Sequence, residues 1–590
     1  MGGGRGTAMK IYSRNFINNY LTSIATHNPE GVFIVYGDRR ITWAELQSRS
    51  NRLGQGLLTL GVQKGDKVTF MFRNCPEFIE INYAIQKIGA IPVPMNYRFT
   101  PREIEYQANN SDAEVFLYET IWQEPVLKAR PELKKVRHFI AAGPDPAGDV
   151  IQYEDLISRQ PDQALEFPTG PEDVCVIIYT GGTTGFPKGV MLTYGAHLDM
   201  FTSLFLNLVM RFAELKLSPE LRQRIRETIP LTGLGLVLSI LQSDPVRRFL
   251  SRPRTQERLR RLLHRFLSDP GLLRFGYKNS VSWILPSFPL FHDASYQILV
   301  LATFGGNLTF TMPTQVKFDP EEVFRLIERE KITFMGNVPT GWKMLVDHPA
   351  LSRYNLSSLA VAASGAGLNP ASLKRKMMEK FPGLIILDMF GQTEMTPITT
   401  FRIDTDINGL KDRSIGRPMF EARIVDDEGN NLPTGTIGEI IYRSSTVMKG
   451  YYKDEEKTRE VMKDGWFYSG DLGFLDEEGE IRVVERKKEC ITSGGEKIFP
   501  QEVEEIIHQH PKVKDVCVIG VPDETWGSAV RAVIQLKEGA EATAEEIIDY
   551  CKDKMAGYKR PKSVVFADSF PISPVGKVLR VKVRDLYGQA

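Results

Sequence analysis

Cysteine is scarce in this 590-residue chain: only Cys75, Cys175, Cys490, Cys517 and Cys551 occur. The number is odd and no two form a C-x-x-C pair, which excludes a disulfide framework and a cysteine-built zinc site. A reducing, cytoplasmic compartment is expected. Long apolar runs are missing too. None reaches the ~18 residues of a membrane span, and the longest candidate, IPLTGLGLVLSIL at 229–241, is short and holds two glycines. The opening MGGGRGTAMK has no signal-peptide core. Gly6 stands where N-myristoylation needs Ser or Thr, so residues 1–10 read as a disordered leader. There is no surplus charge of one sign: the net charge of +1 gives no global pull toward nucleic acid. No Ser/His/Asp nucleophile constellation is evident.

What is present is ordinary for a soluble globular protein, with 42% hydrophobic and 25% charged residues. Single cores stop growing at about 250–300 residues, so two or more domains are expected. Short apolar runs alternate with helical patterns: KVTFMF, IPVPMN, AEVFLY and VCVIIYT, then LTFTM, ITFMGNV, LAVAAS and GLIILDMFG. This alternation is an α/β signature. Thr42 with Glu45 predicts a capping box. From Gly416 to Val484 short strands and turns such as DDEG, LPTG and DEEG prevail, predicting a β-rich subdomain. Residues 489–590 read as a small α+β piece, and the charged run ERKKE at 485–489 marks its boundary. The expected architecture is a large N-terminal domain over 11–485, of mixed α/β subdomains plus the β-rich one, and a small mobile C-terminal domain over 486–590.

The stretch YTGGTTGFPKG, Tyr179 to Gly189, follows the strand VCVIIY directly. Gly181, Gly182 and Gly185 free the backbone to present N–H groups. Thr180, Thr183 and Thr184 add hydroxyls, and Lys188 adds a cation. Together they make an anion cradle suited to a polyphosphate. Gly189 after the lysine excludes a Walker A loop, and Pro187 keeps the loop from winding straight into a helix. A surface linker has no need of Thr-Thr and Lys at fixed spacing behind a buried strand.

This stretch resembles the phosphate-binding loop of the adenylate-forming superfamily, which holds acyl-CoA synthetases, beetle luciferases and the adenylation domains of peptide synthetases. Further motifs follow in family order. MFGQTE at 389–394 matches the aromatic-Gly-x-Thr-Glu motif: Phe390 is then expected to stack on adenine, Thr393 to contact phosphate and Glu394 to hold Mg²⁺, with Thr180 as a second metal ligand. Asp388, Gly391 and Gln392 fall in the same nucleotide-binding stretch. AASGAGL at 362–368, with Gly365 and Ala366, matches a strand-end loop packed on the nucleotide. Asp471 in YSGDLG would accept from the ribose hydroxyls, joined by Arg486, and Lys488 would be the hinge. Gly494, Gly495 and Glu496 lie in the loop that meets the thiol. Lys577 in PISPVGKVLR matches the lysine that serves adenylation. Taken singly, Asp471 reads as a turn residue and Lys488 or Lys577 as a solvated charge; the motifs gain force from their shared order.

The resemblance implies two half-reactions. A carboxylate displaces pyrophosphate from ATP, and coenzyme A then takes the acyl group from the adenylate. The C-terminal domain rotates between them, withdrawing Lys577 and bringing in the SGGEK loop. Thr184, Lys188, His292, Glu394 and Lys577 are the expected catalytic set. His292 in PLFHD matches a position beside the substrate carboxylate, and Gly336, Val338 and Trp342 are expected to line the acyl tunnel. No ionic group is clearly placed to recognise an amino group, which favours a fatty, cyclic or steroid side-chain acid. An acyl-AMP ligase serving a carrier protein and a non-catalytic lipid-binding relative are the alternatives. Intact Lys188, Glu394, Asp471 and Lys577 speak against the second.

One segment departs from the family pattern. Residues 205–278 carry about twice the length expected between the phosphate loop and SWILPSFPLFH. From Arg211 to Lys278 stand fifteen Lys/Arg against six Asp/Glu. In TQERLRRLLHRFLSDP, Leu259, Leu262, Leu263, Phe266 and Leu267 recur at helical spacing, with arginines mostly elsewhere on the wheel. Such a helix either packs its whole apolar stripe on the body or docks on a membrane surface. A peripheral membrane contact through 205–278 and a homodimer stay open as partners, beside the acid and coenzyme A; nucleic acid is not expected.

Overall fold

The computed structural model describes residues 16–590 except 166, 181–186, 216–218, 220, 224–239, 270–280, 306–307, 366, 368, 494–495, 524–525, 553, 556, 573–577 and 590. The chain is mixed α/β and forms two compact units, residues 1–411 with 444–460, and residues 412–443 with 461–590. The units cut the chain differently from the 485/486 boundary, because the β-rich stretch falls with the C-terminal piece. The expected leader lies outside the described residues.

In the larger unit, Ile91–Met95, Lys67–Met71, Ala113–Glu119, His138–Ala142 and Ile151–Gln152 form a parallel five-stranded sheet in that order. A second sheet runs Arg39–Thr42, Val32–Tyr36, Leu308–Met312, Val281–Ile284, Phe334–Asn337, Val361–Ser364, Ile385–Gly391 and Ile398–Asp404. Its middle is parallel and its two outermost pairs are antiparallel. The parallel strands are buried nearly throughout, which is why they read as continuous apolar runs rather than as an alternation. The predicted capping box exists: Glu45 N donates to Thr42 Oγ1 at 3.2 Å, and Thr42 N donates to Glu45 Oε2 at 2.8 Å.

A third sheet carries the phosphate loop. Val174–Thr180 pairs antiparallel with Lys188–Thr193, and Gly450–Tyr451 pairs with the outer side of the latter. Helix Tyr194–Glu214 leaves that hairpin, capped by Thr193, and runs straight through residue 205. Helices Asp244–Leu250 and Pro253–Leu267 follow.

The smaller unit opens with strands Glu421–Val425, Gly438–Arg443, Trp466–Leu475, Ile481–Arg486 and Ser414–Pro418, all antiparallel. Val513–Asp523 and Gly527–Leu536 then form a long hairpin that Ser563–Phe566 joins in parallel. Helix Pro500–His508 packs on it. Helix Ala544–Tyr550 follows, and the chain is helical again over Arg580–Tyr587.

Candidate active site

The hairpin explains the phosphate loop. Thr180 stands opposite Lys188 and Tyr179 opposite Gly189, so Lys188 is the first residue of the returning strand. Residue 189 must be glycine, since a Cβ there lies 2.9 Å from Ile177 Cγ2 and 3.0 Å from the Tyr179 ring. Gly181, Gly182, Thr183, Thr184 and Gly185 lie outside the described residues, as do Ala366, Gly494, Gly495 and Lys577.

The structure brings Lys188 and Glu394 together through a residue that sequence reasoning missed. Tyr451 pairs with Val190, two positions from Lys188. The Lys188 Nζ lies 4.8 Å from its ring centre, and its phenol donates to Glu394 Oε1 at 2.8 Å. Lysine over an aromatic face is held by the ring quadrupole. Glu394 is half-buried in the 3₁₀ turn Thr393–Met395, and its carbonyl accepts from Met448 N at 2.8 Å. The turn is closed by Gln392 N donating to Pro397 O at 2.7 Å and by Thr396 at φ 62°. Gly391 makes that closure feasible, because a Cβ there would sit 1.7 Å from Pro397 O. Phe390 ends its strand opposite Thr400, and Thr393 is buried. Gly365 is packed so that a Cβ would meet Met389 O at 3.1 Å.

Glu394 and Thr180 fit magnesium by donor type. Both are oxygen ligands, and among the described residues only one Glu394 carboxylate oxygen has a hydrogen-bond partner. Magnesium takes such hard donors and keeps several waters.

Trp342 is fully buried among Phe324, Ile327, Leu345 and Phe381, and its indole N–H donates to Ala363 O at 3.1 Å. Asp388 has its carboxylate committed 2.5 Å from the buried Lys374, which also binds Asp404 at 3.0 Å. Burial lifts Asp388 to about 6 against the pull of that lysine. Gly336 and Val338 stay by the strand end Phe334–Asn337, where a Cβ on Gly336 would strike Leu285 at 2.5 Å.

His292 sits in the turn before helix Asp293–Gly305, its N–H donating to Pro289 O at 2.9 Å. Behind it runs a buried polar chain. Asp293 Oδ1 accepts from Gln297 Nε2 at 2.9 Å, and that amide lies 2.8 Å from His197 Nε2. His197 Nδ1 donates to Thr193 O at 2.9 Å, which leaves Nε2 as acceptor; burial depresses this imidazole to about 4, so it is neutral. Burial, with the Glu394 charge adding to it, pushes Asp293 up to about 8. A neutral acid and a neutral imidazole therefore lie between the phosphate hairpin and the His292 turn.

In the smaller unit, Asp471 and Arg486 face each other across strands. Arg486 Nε lies 2.7 Å from Asp471 Oδ1, and Asp471 is buried. Lys488 is exposed in the turn after Arg486. Strand Ile491–Ser493 pairs antiparallel with Glu496–Ile498, Ser493 opposite Glu496. An isolated bridge between Ile572 and Val578 brackets the segment holding Lys577. Three residues on, Arg580 donates to Glu489 at 2.7 Å and to Glu504 at 2.7 and 3.0 Å, with Glu485 at 3.7 Å. Burial holds Glu485 up, to about 7, against the pull of Arg580.

Comparison with known proteins places these features. The family model described as AMP-binding enzyme matches residues 21–222 and 271–452, and its C-terminal domain model matches 502–577. The chain is 31% identical to a feruloyl-CoA synthase of an Amycolatopsis species, covering 96% of this chain and 97% of that one. It is 30% identical to a medium/long-chain-fatty-acid–CoA/3-oxocholest-4-en-26-oate–CoA ligase of Mycobacterium tuberculosis, covering 93% and 92%. Among solved structures it resembles the anthranilate CoA ligase AuaEII in complex with anthranoyl-AMP, with TM-score 0.77, 25% identity and 96% of each chain covered.

Proposed function

The chain belongs to the AMP-binding enzyme family and is an adenylate-forming CoA ligase, and we propose that it activates a hydrophobic acid, either a medium- or long-chain fatty acid or a cyclic or steroid side-chain acid. The observation that carries the mechanistic part is the Lys188–Tyr451–Glu394 triplet at the base of the phosphate hairpin. It sets a cation against the face of one ring and a carboxylate at that ring's hydroxyl, at the strand ends that flank the Gly/Thr-rich stretch. Phosphoryl transfer needs such positioned charge more than covalent chemistry.

In the first half-reaction the substrate carboxylate, already a nucleophile at neutral pH, forms a bond to the α-phosphorus of ATP, and the bond to pyrophosphate breaks. Lys188 and the loop hydroxyls hold the phosphate oxygens. Glu394 and Thr180 would hold magnesium, which neutralises phosphate charge when bound. Asp471 and Arg486 serve the ribose, Phe390 the adenine, and Lys577 the adenylation step. In the second half-reaction the thiol of coenzyme A takes the acyl group and AMP leaves; the strand pair at Ser493 and Glu496 and the exposed Lys488 turn serve this step.

Two observations support a hydrophobic acid. The acid nearest His292, Asp293, is buried and neutral at pH 7, so it offers no counter-charge to an ammonium group. The strand end at Gly336 is packed against Leu285 and Phe288. The Mycobacterium tuberculosis relative named above acts on acids of this class by its printed name. The test is pyrophosphate release dependent on ATP and CoA over short, medium, long, aromatic and alicyclic acids. A preference for aromatic or amino acids overturns the substrate assignment and leaves the ligase chemistry standing.

A further inference from the structure

We propose that the face formed by helices Asp244–Leu250 and Pro253–Leu267 docks the enzyme on an anionic lipid bilayer. The proposal stands apart from the identity of the acid. It starts from how the apolar stripe of the second helix is used. That helix packs along helix Tyr194–Glu214, with His264 Nε2 at 3.5 Å from Asp199 Oδ1. Leu267 is buried, and Leu259 and Leu263 are half-buried. The other half of the stripe is not covered. Leu262 is 64% exposed and Phe266 40%, and Phe249 of the preceding helix is 54% exposed.

Arginines surround these side chains. Arg258, Arg261 and Arg265 are exposed and share the Leu262–Phe266 face at spacings of three and four. Residues 244–269 hold eight arginines against three acids. Glu257, the only acid within Pro253–Leu267, takes Arg260 at 3.1 Å and Arg261 at 3.4 Å. Among the described residues no ion pair engages Arg252, Arg254, Arg258 or Arg265. The AMP-binding model passes over residues 223–270, so the face is an addition to the common scaffold.

The combination selects the occupant. A nucleic acid or an acidic peptide satisfies the guanidinium groups but leaves Phe249, Leu262 and Phe266 in water. A bilayer surface satisfies both: phosphates meet the arginines while the three apolar side chains enter the acyl boundary. The contact is peripheral, since no described helix is long and apolar enough to cross a membrane. Helix Tyr194–Glu214, on which Pro253–Leu267 packs, is capped by Thr193, the end of the strand that Lys188 begins, so the docking face is joined to the phosphate hairpin by one continuous helix.

The test is flotation of the full chain with vesicles of phosphatidylcholine alone or with phosphatidylglycerol at low salt. Two variants accompany it, Leu262→Ser/Phe266→Ser and Arg258→Gln/Arg261→Gln/Arg265→Gln. All five positions are exposed or partly exposed surface sites outside the catalytic machinery, so basal ligation of a water-soluble acid is expected to persist in both. Wild type should partition to anionic vesicles and not to neutral ones. The arginine variant should lose roughly a hundredfold, at about fivefold per charge near an anionic surface, and the apolar variant tenfold or more. No flotation of wild type, or flotation that both variants retain, overturns the proposal. Loss in the arginine variant with full binding by the apolar variant overturns the insertion of Leu262 and Phe266 and leaves a purely electrostatic contact with the bilayer.

Discussion

Asp293→Asn asks whether the helix that starts beside His292 carries a neutral carboxyl. Burial first, and the Glu394 charge second, raise Asp293 from 3.8 to about 8, while the hydrogen bond from Gln297 pulls the other way. A shift of ~4 units weighs about 6 kcal/mol against the ionised form. At pH 7 the folded chain therefore holds a proton that the unfolded chain has released, and binding it costs about 4 kcal/mol. The folded pKa lies above the unfolded one, so this group's contribution to stability is whole below pH 3.8 and is lost as pH climbs through about 8. Across that window wild type loses about 1.4 kcal/mol per pH unit from this residue. The asparagine variant loses none, and its Oδ1 can still accept from Gln297. Urea unfolding at pH ~5.5 and ~7.5 should show the variant gaining about 2–3 kcal/mol on wild type between the two. Infrared difference spectra should show a carboxylic C=O band, present in wild type and missing from the variant, that titrates near pH 8. Parallel stability lines, with the band already gone at pH ~5, would refute the assignment of a buried neutral acid.

Three further outcomes follow from the site. Tyr451→Phe keeps the ring beneath Lys188 and removes the hydrogen bond to Glu394; bonds to charged groups are worth about 1.5–3 kcal/mol, so pyrophosphate release at limiting ATP should slow roughly tenfold or more, and an unchanged rate removes Tyr451 from the triplet. Lys577→Ala should cripple adenylate formation and spare thiolysis of supplied acyl-adenylate, whereas equal loss in both steps contradicts its assignment to the first. Gly391→Ala forces a methyl into a carbonyl 1.7 Å from its Cβ; overpacking of this kind costs about 1–3 kcal/mol or more, so a melting temperature within a degree of wild type would show that the Gln392–Pro397 closure yields freely.

How much of this was legible beforehand depends on the range of the contacts. The buried parallel strands read directly, because both faces are covered and the apolar run is unbroken. The Thr42 capping box reads because it spans three residues. Glu394, Lys188 and Asp471 read as members of motifs. Tyr451 did not: it joins Lys188 and Glu394 by pairing Gly450–Tyr451 with a strand far earlier in the chain, and MKGYYKD has no local pattern to announce that. The depth of Trp342 was equally hidden: its N–H is committed to Ala363, in a strand that the local sequence does not announce as its neighbour. The stripe on Pro253–Leu267 shows a limit of periodicity: a helical wheel gives the width of the apolar face but not the width of the neighbour that covers it.

The same distinction separates the hinge from its surroundings. Lys488 stands in a charge run, and its exposure alone is what any solvated lysine shows. What sets the turn apart is how firmly its flanks are held. On one side Glu485 is buried, accepting from Gln501 N at 3.1 Å, and Arg486 is fixed on Asp471. On the other, Glu489 is bound to Arg580 at 2.7 Å, and Arg580 is clamped again by Glu504. Removing one partner from such a buried cluster costs about 3–5 kcal/mol, so these flanks resist change. Lys487 is also tied, to Glu439 and Asp427 at 2.8 Å each, while among the described residues no ion pair engages Lys488. We propose that backbone rotation concentrates at Lys488, the residue whose side chain opposes it least, which adds a physical reason that the charge run by itself does not supply.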